Sequence, residues 1–303
     1  MSNKVNQSIS SVGIVGCGWL GTALAEQLQE QGVDVVATRS SDDNVNELIE
    51  DGIAAEVLIL PAEQQSLNQH KVFNQQCVVI AITPQFRQGR VDYADKVQQL
   101  VKAAAANNKV QQIILLSSTA VYNGLSGLVD ESSILDLTAD KVLLLNQAEQ
   151  AVLTYSQENT TKRAFILRLS GLVGPNRHPG NFLLNGRRLK SPQATVNLIH
   201  QKDALGLIIA LLDSDLNSGI FNGVSATQVS KKEYYQSAAK ALGLSAPRFE
   251  GNNFEDERLV TSVSSLKNKL IVKIADKVVS GQKARDLLAY RFVHDDLLHW
   301  LTL

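Results

Sequence analysis

The chain has 303 residues, with 29 Lys or Arg and 30 Asp or Glu, so its formal net charge at pH 7 is −1. This balance gives no indication of nucleic-acid or membrane binding, and no stretch reaches the roughly 20 apolar residues of a membrane helix. Cys17 and Cys77 form no metal-binding pattern and indicate no disulfide, and residues 1–11 lack the apolar centre of a signal peptide. We therefore expect a protein of the reducing cytoplasm without a bound metal.

The first motif along the chain is an apolar run that leads into closely spaced glycines. Residues 12–15 predict a buried parallel strand, and the GxGxxG spacing follows directly, with a helix after it. In such a loop the first glycine allows the tight turn, the second lets a pyrophosphate approach, and the third lets the helix pack on the strand. The alternative is a purely structural turn. The predicted cofactor-binding residues of the loop are Gly16, Gly18, Trp19, Leu20 and Gly21.

The end of the second predicted strand, residues 33–38, indicates which dinucleotide binds. NAD-specific sites carry an acidic residue here that binds the ribose 2′-hydroxyl. This chain has Thr38, Arg39 and Ser40 instead. Because Arg can bind two phosphate oxygens at once, the sequence favours NADP(H) over NAD(H). The alternative is a solvent-exposed arginine in a loop.

The rest of the chain alternates strands and helices as far as residue 175, and turns become more frequent beyond it. This alternation predicts an α/β fold, a doubly wound Rossmann-type parallel sheet over residues 10–175. Residues 176–303 are expected to form a smaller substrate-binding lobe, from which the chain can cross back once. Further strands are expected at 57–60, 77–82, 110–116 and 164–169, and helices at 91–106, 140–157, 202–212, 231–242 and 295–301.

Four segments, taken together, carry a resemblance to a known family. They are residues 117–122, 168–175, 196–204 and 219–222. With the glycine loop before them, they resemble the extended short-chain dehydrogenase/reductase superfamily, of the sugar-nucleotide epimerase/dehydratase type. The loop and the stretch 174–180 are most similar to atypical bacterial members of the YeeZ-like type.

The resemblance implies roles for residues at the strand ends. Thr83 and Pro84, which close the fourth strand, would lie with Ser117 against the nicotinamide half of the cofactor. Ser118 matches the catalytic hydroxyl that binds the reacting substrate oxygen; alternatively, it caps a turn. The predicted substrate-binding residues are Thr119, Arg177 and His178.

The sequence departs from the superfamily at its proton relay. The family's Tyr-x-x-x-Lys falls on Lys141 and Leu145, counted from the acidic residue Glu149. A positioned acid or base contributes about 10²–10⁴-fold in rate, so this loss matters unless another group replaces it. The candidates are Tyr122, which is otherwise a packing residue, and His178, which is otherwise a loop histidine in solvent.

These observations lead to two functional hypotheses. The first is an NADP(H)-dependent oxidoreductase or epimerase/dehydratase-like enzyme for a small polar or anionic substrate. The second is a non-catalytic redox sensor that binds NADP(H). A homodimer is a further expectation, since helices 91–106 and 140–157 carry alanine and leucine beyond one face.

Overall fold

The computed structural model describes residues 9–184, 188–250 and 276–303. The strands are β1 (Ser11–Val15), β2 (Asp34–Arg39), β3 (Ala55–Val57), β4 (Cys77–Ile80), β5 (Gln112–Ser118), β6 (Gly127–Val129), β7 (Arg163–Leu169), β8 (Gly171–Val173), β9 (Leu198–His200), β10 (Ser218–Gly223) and β11 (Lys277–Val279). The helices are α1 (Trp19–Glu30), α2 (Asp42–Glu50), α3 (Gln64–Gln69), α4 (Tyr93–Ala105), α5 (Asp140–Gln157), α6 (Gln201–Leu212), α7 (Lys231–Ala241), α8 (Gln282–Leu287) and α9 (Leu297–Trp300).

The main sheet confirms the predicted doubly wound fold. In the described part of the chain it has seven parallel strands in the order β10-β7-β5-β4-β1-β2-β3. The order reverses between β1 and β4, which is where ligands bind in open α/β sheets. Strand β10 lies beyond residue 176 and still joins this sheet beside β7, so the chain returns to the main sheet after β8 and β9.

Two apolar layers cover the sheet. Helices α1 and α6 pack on one face, and α4 and α5 pack on the other, where they also contact each other. The extra apolar residues of α4, such as Leu100 and Ala103, are buried within the chain. Because the exposed positions of both helices include polar Gln98 and Gln150, these helices lend the homodimer no support, and it stays a prediction.

The elements differ from the predicted bounds where local contacts override the apolar pattern. Helix α5 has the predicted limits, but the third strand is Ala55–Val57 and not 57–60. The apolar run that suggested 57–60 continues irregularly to Pro61, with Leu58 and Leu60 packed on the core. The last helix is shorter than 295–301, because Asp296 caps it by accepting from the amides of Leu298 and His299. No described helix is long and apolar enough to span a membrane.

His200 is a buried histidine at the end of β9, directly before the start of α6. His200 is 5 % exposed, and its Nδ1 accepts a hydrogen bond from the Lys202 amide, which caps α6. Its ring lies 4.0 Å from that of His294 and 4.9 Å from that of Trp300. Burial, then the charges of His294 and Lys202, lower the pKa of His200 to about 4. The folded protein therefore holds this imidazole neutral.

We expect His200 to make folding stability fall in mild acid. The His200 imidazole takes up a proton near pH 6.5 in the unfolded chain and only near pH 4 in the folded chain. Its contribution to the unfolding free energy is therefore complete above pH 6.5 and is lost as the pH drops towards 4. The decline due to this group should reach up to about 3 kcal/mol. Urea unfolding of the wild type and of His200→Asn, whose amide can still cap α6, measures it. Identical pH dependence in the two proteins would contradict the assignment.

Candidate functional site

The glycine loop has the geometry that its spacing predicts. Gly16 adopts a φ of +84°, which L side chains rarely adopt. A Cβ at Gly18 would meet no described atom within 4 Å, so the space beside this residue is open. A Cβ at Gly21 would lie 3.4 Å from Ile14 and Cys17, so α1 packs closely on β1. The three glycines therefore give a turn, an open approach and a close helix–strand contact.

The N-terminus of α1 is prepared for an anion. In the described part of the chain no side chain caps the helix at Gly18. The first-turn amides therefore remain available to a phosphate oxygen, which the helix dipole also favours. The loop is held in place from β2, because the Gly16 amide donates to Thr38 Oγ1 over 3.2 Å. These features fit the pyrophosphate of a dinucleotide.

Two cavities meet at this loop and share Gly16, Gly18 and Thr83. The β2-side cavity has a volume of about 430 Å³, and the β5-side cavity about 350 Å³. The β2-side cavity is also lined by Thr38, Arg39, Ser40, Arg90 and Lys96. The β5-side cavity is also lined by Trp19, Pro84, Ser117, Ser118, Leu145 and Arg177. Together they form one groove across the switch point of the sheet.

Arg39 is the cation of the β2-side cavity that has no ion-pair partner among the described residues. Asp92 engages the other two, with Arg90 at 2.8 Å and Lys96 at 3.0 Å. The guanidinium of Arg39 donates to Thr22 Oγ1 over 3.3 Å, and its buried Nε finds no described acceptor. A buried donor without an acceptor is costly, so this side chain is suited to an incoming anion.

The two serines at the end of β5 have different surroundings. Ser117 Oγ donates to Glu149 Oε1 over 2.6 Å and is thereby fixed. Ser118 Oγ accepts from the Ala120 amide over 3.1 Å, which caps the short 3₁₀ helix Thr119–Tyr122. A hydroxyl that accepts one bond still has its own proton to donate. Ser118 therefore caps a turn and offers a donor at the wall of the β5-side cavity.

Behind these serines lies a buried polar network. Glu149 is fully buried and Arg168 is 3 % exposed, and their closest contact is 2.6 Å. Arg168 Nη1 also donates to the hydroxyl of Tyr122 over 2.8 Å, and that hydroxyl donates to Asn222 Oδ1 over 2.9 Å. Burial raises the pKa of Tyr122, so its phenol stays protonated. The network joins α5, β7, the 3₁₀ helix and β10.

A third, basic cavity opens beside the β5-side cavity. Its volume is about 800 Å³, and the two cavities share Gly171, Leu172 and Arg177. Glu250 is the acidic residue of its described wall. The cationic side chains that line it are Arg87, Arg177, Arg188, Lys190 and Lys231.

Comparison with known proteins identifies the family. Residues 12–144 match the TrkA-N domain family. The chain is 31 % identical to Protein YeeZ from Escherichia coli strain K12 over an alignment of 266 residues. This alignment covers 86 % of this chain and 94 % of that protein. The chain belongs to the YeeZ family. The resemblance seen in the sequence motifs is thereby confirmed.

Solved structures confirm the fold of this family member. A functionally unknown conserved protein from Silicibacter pomeroyi DSS is 22 % identical, with a TM-score of 0.71 and 97 % of each chain covered. UDP-glucuronic acid 4-epimerase from Bacillus cereus, solved with NAD, is 18 % identical, with a TM-score of 0.71 and 96 % of each chain covered. UDP-glucose 4-epimerase from Thermotoga maritima is 12 % identical, with a TM-score of 0.75 and coverage of 97 % of this chain and 96 % of that one. At these identities the likeness establishes the Rossmann-type epimerase fold.

Most of the predicted site residues come together in the groove, and three do not. Tyr122 lies in the buried network, because its hydroxyl is taken up by Arg168 and Asn222. Thr119 is buried at the start of the 3₁₀ helix. His178 caps a different 3₁₀ helix through Nδ1, and its ring lies 5.7 Å from that of Trp300. None of the three lines the described walls of the β2-side, β5-side or basic cavity.

The two residues that the sequence count assigned to the family's tyrosine and lysine both lie on α5. Leu145 lines the β5-side cavity, and Lys141 lies one helical turn earlier with its Nζ 5.9 Å from the Phe86 ring centre. Of the five cations of the basic cavity, sequence reasoning named Arg177 and missed Arg87, Arg188, Lys190 and Lys231.

The buried Glu149–Arg168 pair should be a large determinant of stability. Arg168→Met leaves the Glu149 carboxylate buried without its cation, so we expect a loss of about 3–5 kcal/mol in unfolding free energy, measured with urea. Arg168→Met/Glu149→Gln should recover part of this loss, because it leaves no buried charge. Arg285→Met breaks the more exposed pair with Asp295 and should cost about 1 kcal/mol or less. Equal losses for Arg168→Met and Arg285→Met would contradict this account.

Proposed function

We propose that the protein binds NADP(H) in the groove and is an oxidoreductase or epimerase/dehydratase-like enzyme for a small polar or anionic substrate. The observation that carries the proposal is the uncapped N-terminus of α1 beside the open space at Gly18, at the switch point of the sheet. Ser118 stands at the neighbouring strand end, on the wall of the same groove. Two proteins with this fold, UDP-glucuronic acid 4-epimerase from Bacillus cereus and MoeE5, were solved with NAD, which supports a nicotinamide dinucleotide here.

Each part of the groove has residues suited to one part of the cofactor. The loop from Gly16 to Gly21 and the first turn of α1 would hold the pyrophosphate. Arg39, with Thr38 and Ser40 beside it, would bind the 2′-phosphate of NADP(H). The nicotinamide half would lie in the β5-side cavity against Thr83, Pro84 and Ser117. When bound, the nicotinamide supplies hydride transfer.

The basic cavity supports an anionic substrate. Its described wall carries five cationic side chains and one carboxylate, Glu250, although the whole chain has a net charge of −1. The positive potential is therefore concentrated in the cavity that adjoins the one lined by Ser118. The B. cereus and T. maritima epimerases are named for UDP-sugars, which carry two phosphates. A substrate with phosphate or carboxylate groups would place those groups in the basic cavity and its reacting carbon near Ser118.

A non-catalytic redox sensor is the second candidate. The observation that favours it is Leu145, since an apolar side chain stands where the family's lysine would bind the ribose and assist the tyrosine. Such a protein would bind NADP(H) and signal to a partner without turnover. We further propose a cytoplasmic location, in which the buried thiols of Cys17 and Cys77 stay reduced.

The cofactor preference can be measured directly by calorimetry. The wild type should bind NADPH more tightly than NADH, and Arg39→Ala should weaken NADPH binding about 10–100-fold with little effect on NADH, because only NADPH carries the 2′-phosphate. Arg291→Ala removes one exposed positive charge and is the matched control; it should change neither affinity. Equal affinity of the wild type for the two cofactors would refute the NADP(H) preference.

A second pair of variants separates enzyme from sensor. Gly18→Val should fold normally, because a Cβ meets no described atom there, but its side chain should block the pyrophosphate and abolish NADPH binding. Ser118→Ala should keep NADPH affinity and lose about 10²-fold or more in turnover on any carbonyl or UDP-sugar that the wild type converts. If the wild type binds NADPH tightly but converts none of the carbonyls and UDP-sugars tested, the result favours the non-catalytic redox sensor. Unchanged turnover in Ser118→Ala would remove Ser118 from catalysis.

A further inference from the structure

The described residues include seven buried side-chain nitrogen or oxygen atoms that have no hydrogen-bond partner. Such atoms are rare in folded proteins, and in the wall of a cavity they mark places where a ligand can supply the partner. Three of the seven belong to residues that line the groove: Arg39 on the β2 side, and Tyr93 and Ser170 on the β5 side. The proposed function uses Arg39 for the 2′-phosphate and leaves the two hydroxyls without a role.

Tyr93 is the first residue of α4 and lines the β5-side cavity. It is 2 % exposed, and its ring meets that of Phe86 edge-on, with the ring centres 6.3 Å apart. Burial, then the charge of Glu149, raises the pKa of the Tyr93 phenol, so the hydroxyl keeps its proton near neutral pH. The ring is thus packed in place, while the hydroxyl is a donor that no described residue engages.

Ser170 lines the same cavity from the link between β7 and β8. Its backbone is fixed, because its amide donates to the Gly223 carbonyl over 3.0 Å. Its Oγ is buried and finds no partner among the described residues, whereas the hydroxyls of Ser117 and Ser118 in the same wall are both engaged. Tyr93 and Ser170 therefore bring two unengaged hydroxyls to one cavity from separate elements.

The rest of the wall of the β5-side cavity suits a planar ring with polar substituents. Leu116, Leu145 and Leu169 line it together with Pro84. The cation of its described wall is Arg177, which lies over the ring of Trp19 at 5.2 Å. An apolar wall with two buried hydroxyls favours a neutral ring that carries hydrogen-bonding groups over a phosphate.

We propose that the hydroxyls of Tyr93 and Ser170 bind the nicotinamide half of the dinucleotide in the β5-side cavity. The proposal rests on the proposed function, which places this half of NADP(H) there. The nicotinamide half carries a carboxamide, which both accepts and donates, and a ribose with free hydroxyls. Tyr93 would donate to one of these oxygens, and Ser170 would donate or accept, since a serine hydroxyl does both. Each bond would give a buried hydroxyl the partner that the described residues do not supply.

Calorimetry with two probes tests these contacts. NADPH carries the nicotinamide half, whereas 2′,5′-ADP keeps the adenosine and the 2′-phosphate and lacks that half. Tyr93→Phe and Ser170→Ala should each weaken NADPH binding about tenfold, because each leaves a buried polar group of the ligand unpaired, and neither should change the affinity for 2′,5′-ADP. Unchanged NADPH affinity in either variant, or an equal loss for the two probes, would overturn the proposal.

Tyr234 provides the matched control. Its hydroxyl is also buried without a described partner, but Tyr234 lines none of the described walls of the β2-side, β5-side and basic cavities. Tyr234→Phe should therefore bind NADPH as the wild type does. A loss as large as that of Tyr93→Phe would assign the effect to packing and not to a contact with the ligand, against the proposal.

The protein without ligand gives a readout that needs no cofactor. Tyr155 is a buried phenol whose hydroxyl donates to the Val110 carbonyl over 2.7 Å, so Tyr155→Phe should lower the urea midpoint of unfolding. Tyr93→Phe should not lower it, because the hydroxyl that it removes has no described partner. An equal drop in the two variants would show that the Tyr93 hydroxyl is already engaged without ligand and would overturn its proposed role.

The two proposals fail separately. If the wild type binds no NADPH, the proposed function and these contacts both fall. If the wild type binds NADPH and either Tyr93→Phe or Ser170→Ala binds it equally well, the proposed function stands and the contacts alone are refuted.

Discussion

The site depends on one buried ion pair, Glu149 with Arg168. Glu149 fixes the turn of α5 against β7 and, through Ser117, against the end of β5. Arg168 extends the contact through Tyr122 to Asn222, whose amide nitrogens reach Glu131 and Ser280. Burying two charges is expensive, and an apolar pair of similar shape often stabilises a protein more. Its effect here is positional, because it sets the carboxyl end of the sheet, where Ser118 stands.

The same pair fixes how α5 lies against the sheet. With Glu149 fixed, Leu145 lies one turn earlier on the same helix face and Lys141 two turns earlier. Sliding α5 to bring another residue to these positions would take Glu149 away from Arg168 and Ser117. The helix therefore presents an apolar side chain, Leu145, to the β5-side cavity.

The sequence predicts features that depend on short-range geometry and misses those that depend on side-chain direction over long range. The glycine loop and the limits of α5 follow from local spacing, whereas the strands predicted at 77–82 and 110–116 are Cys77–Ile80 and Gln112–Ser118. Thr83 and Ser118 line the groove all the same. Tyr122 is only four residues from Ser118, yet the 3₁₀ turn carries its ring into the core. The basic cavity brings together residues from 87 to 250, a juxtaposition that only the folded chain reveals.

Trp19 connects the glycine loop to the segment that carries Arg177. It is the first residue of α1, and its Nε1 donates to the Pro175 carbonyl over 3.1 Å. Arg177 lies over its ring at 5.2 Å, and Gln201 donates to its carbonyl over 3.3 Å. A phosphate at the first turn of α1 would meet the same residue that supports the loop bearing Arg177. Because Arg177 lines both the β5-side and the basic cavity, the contact with Trp19 ties a wall residue common to both cavities to the start of α1.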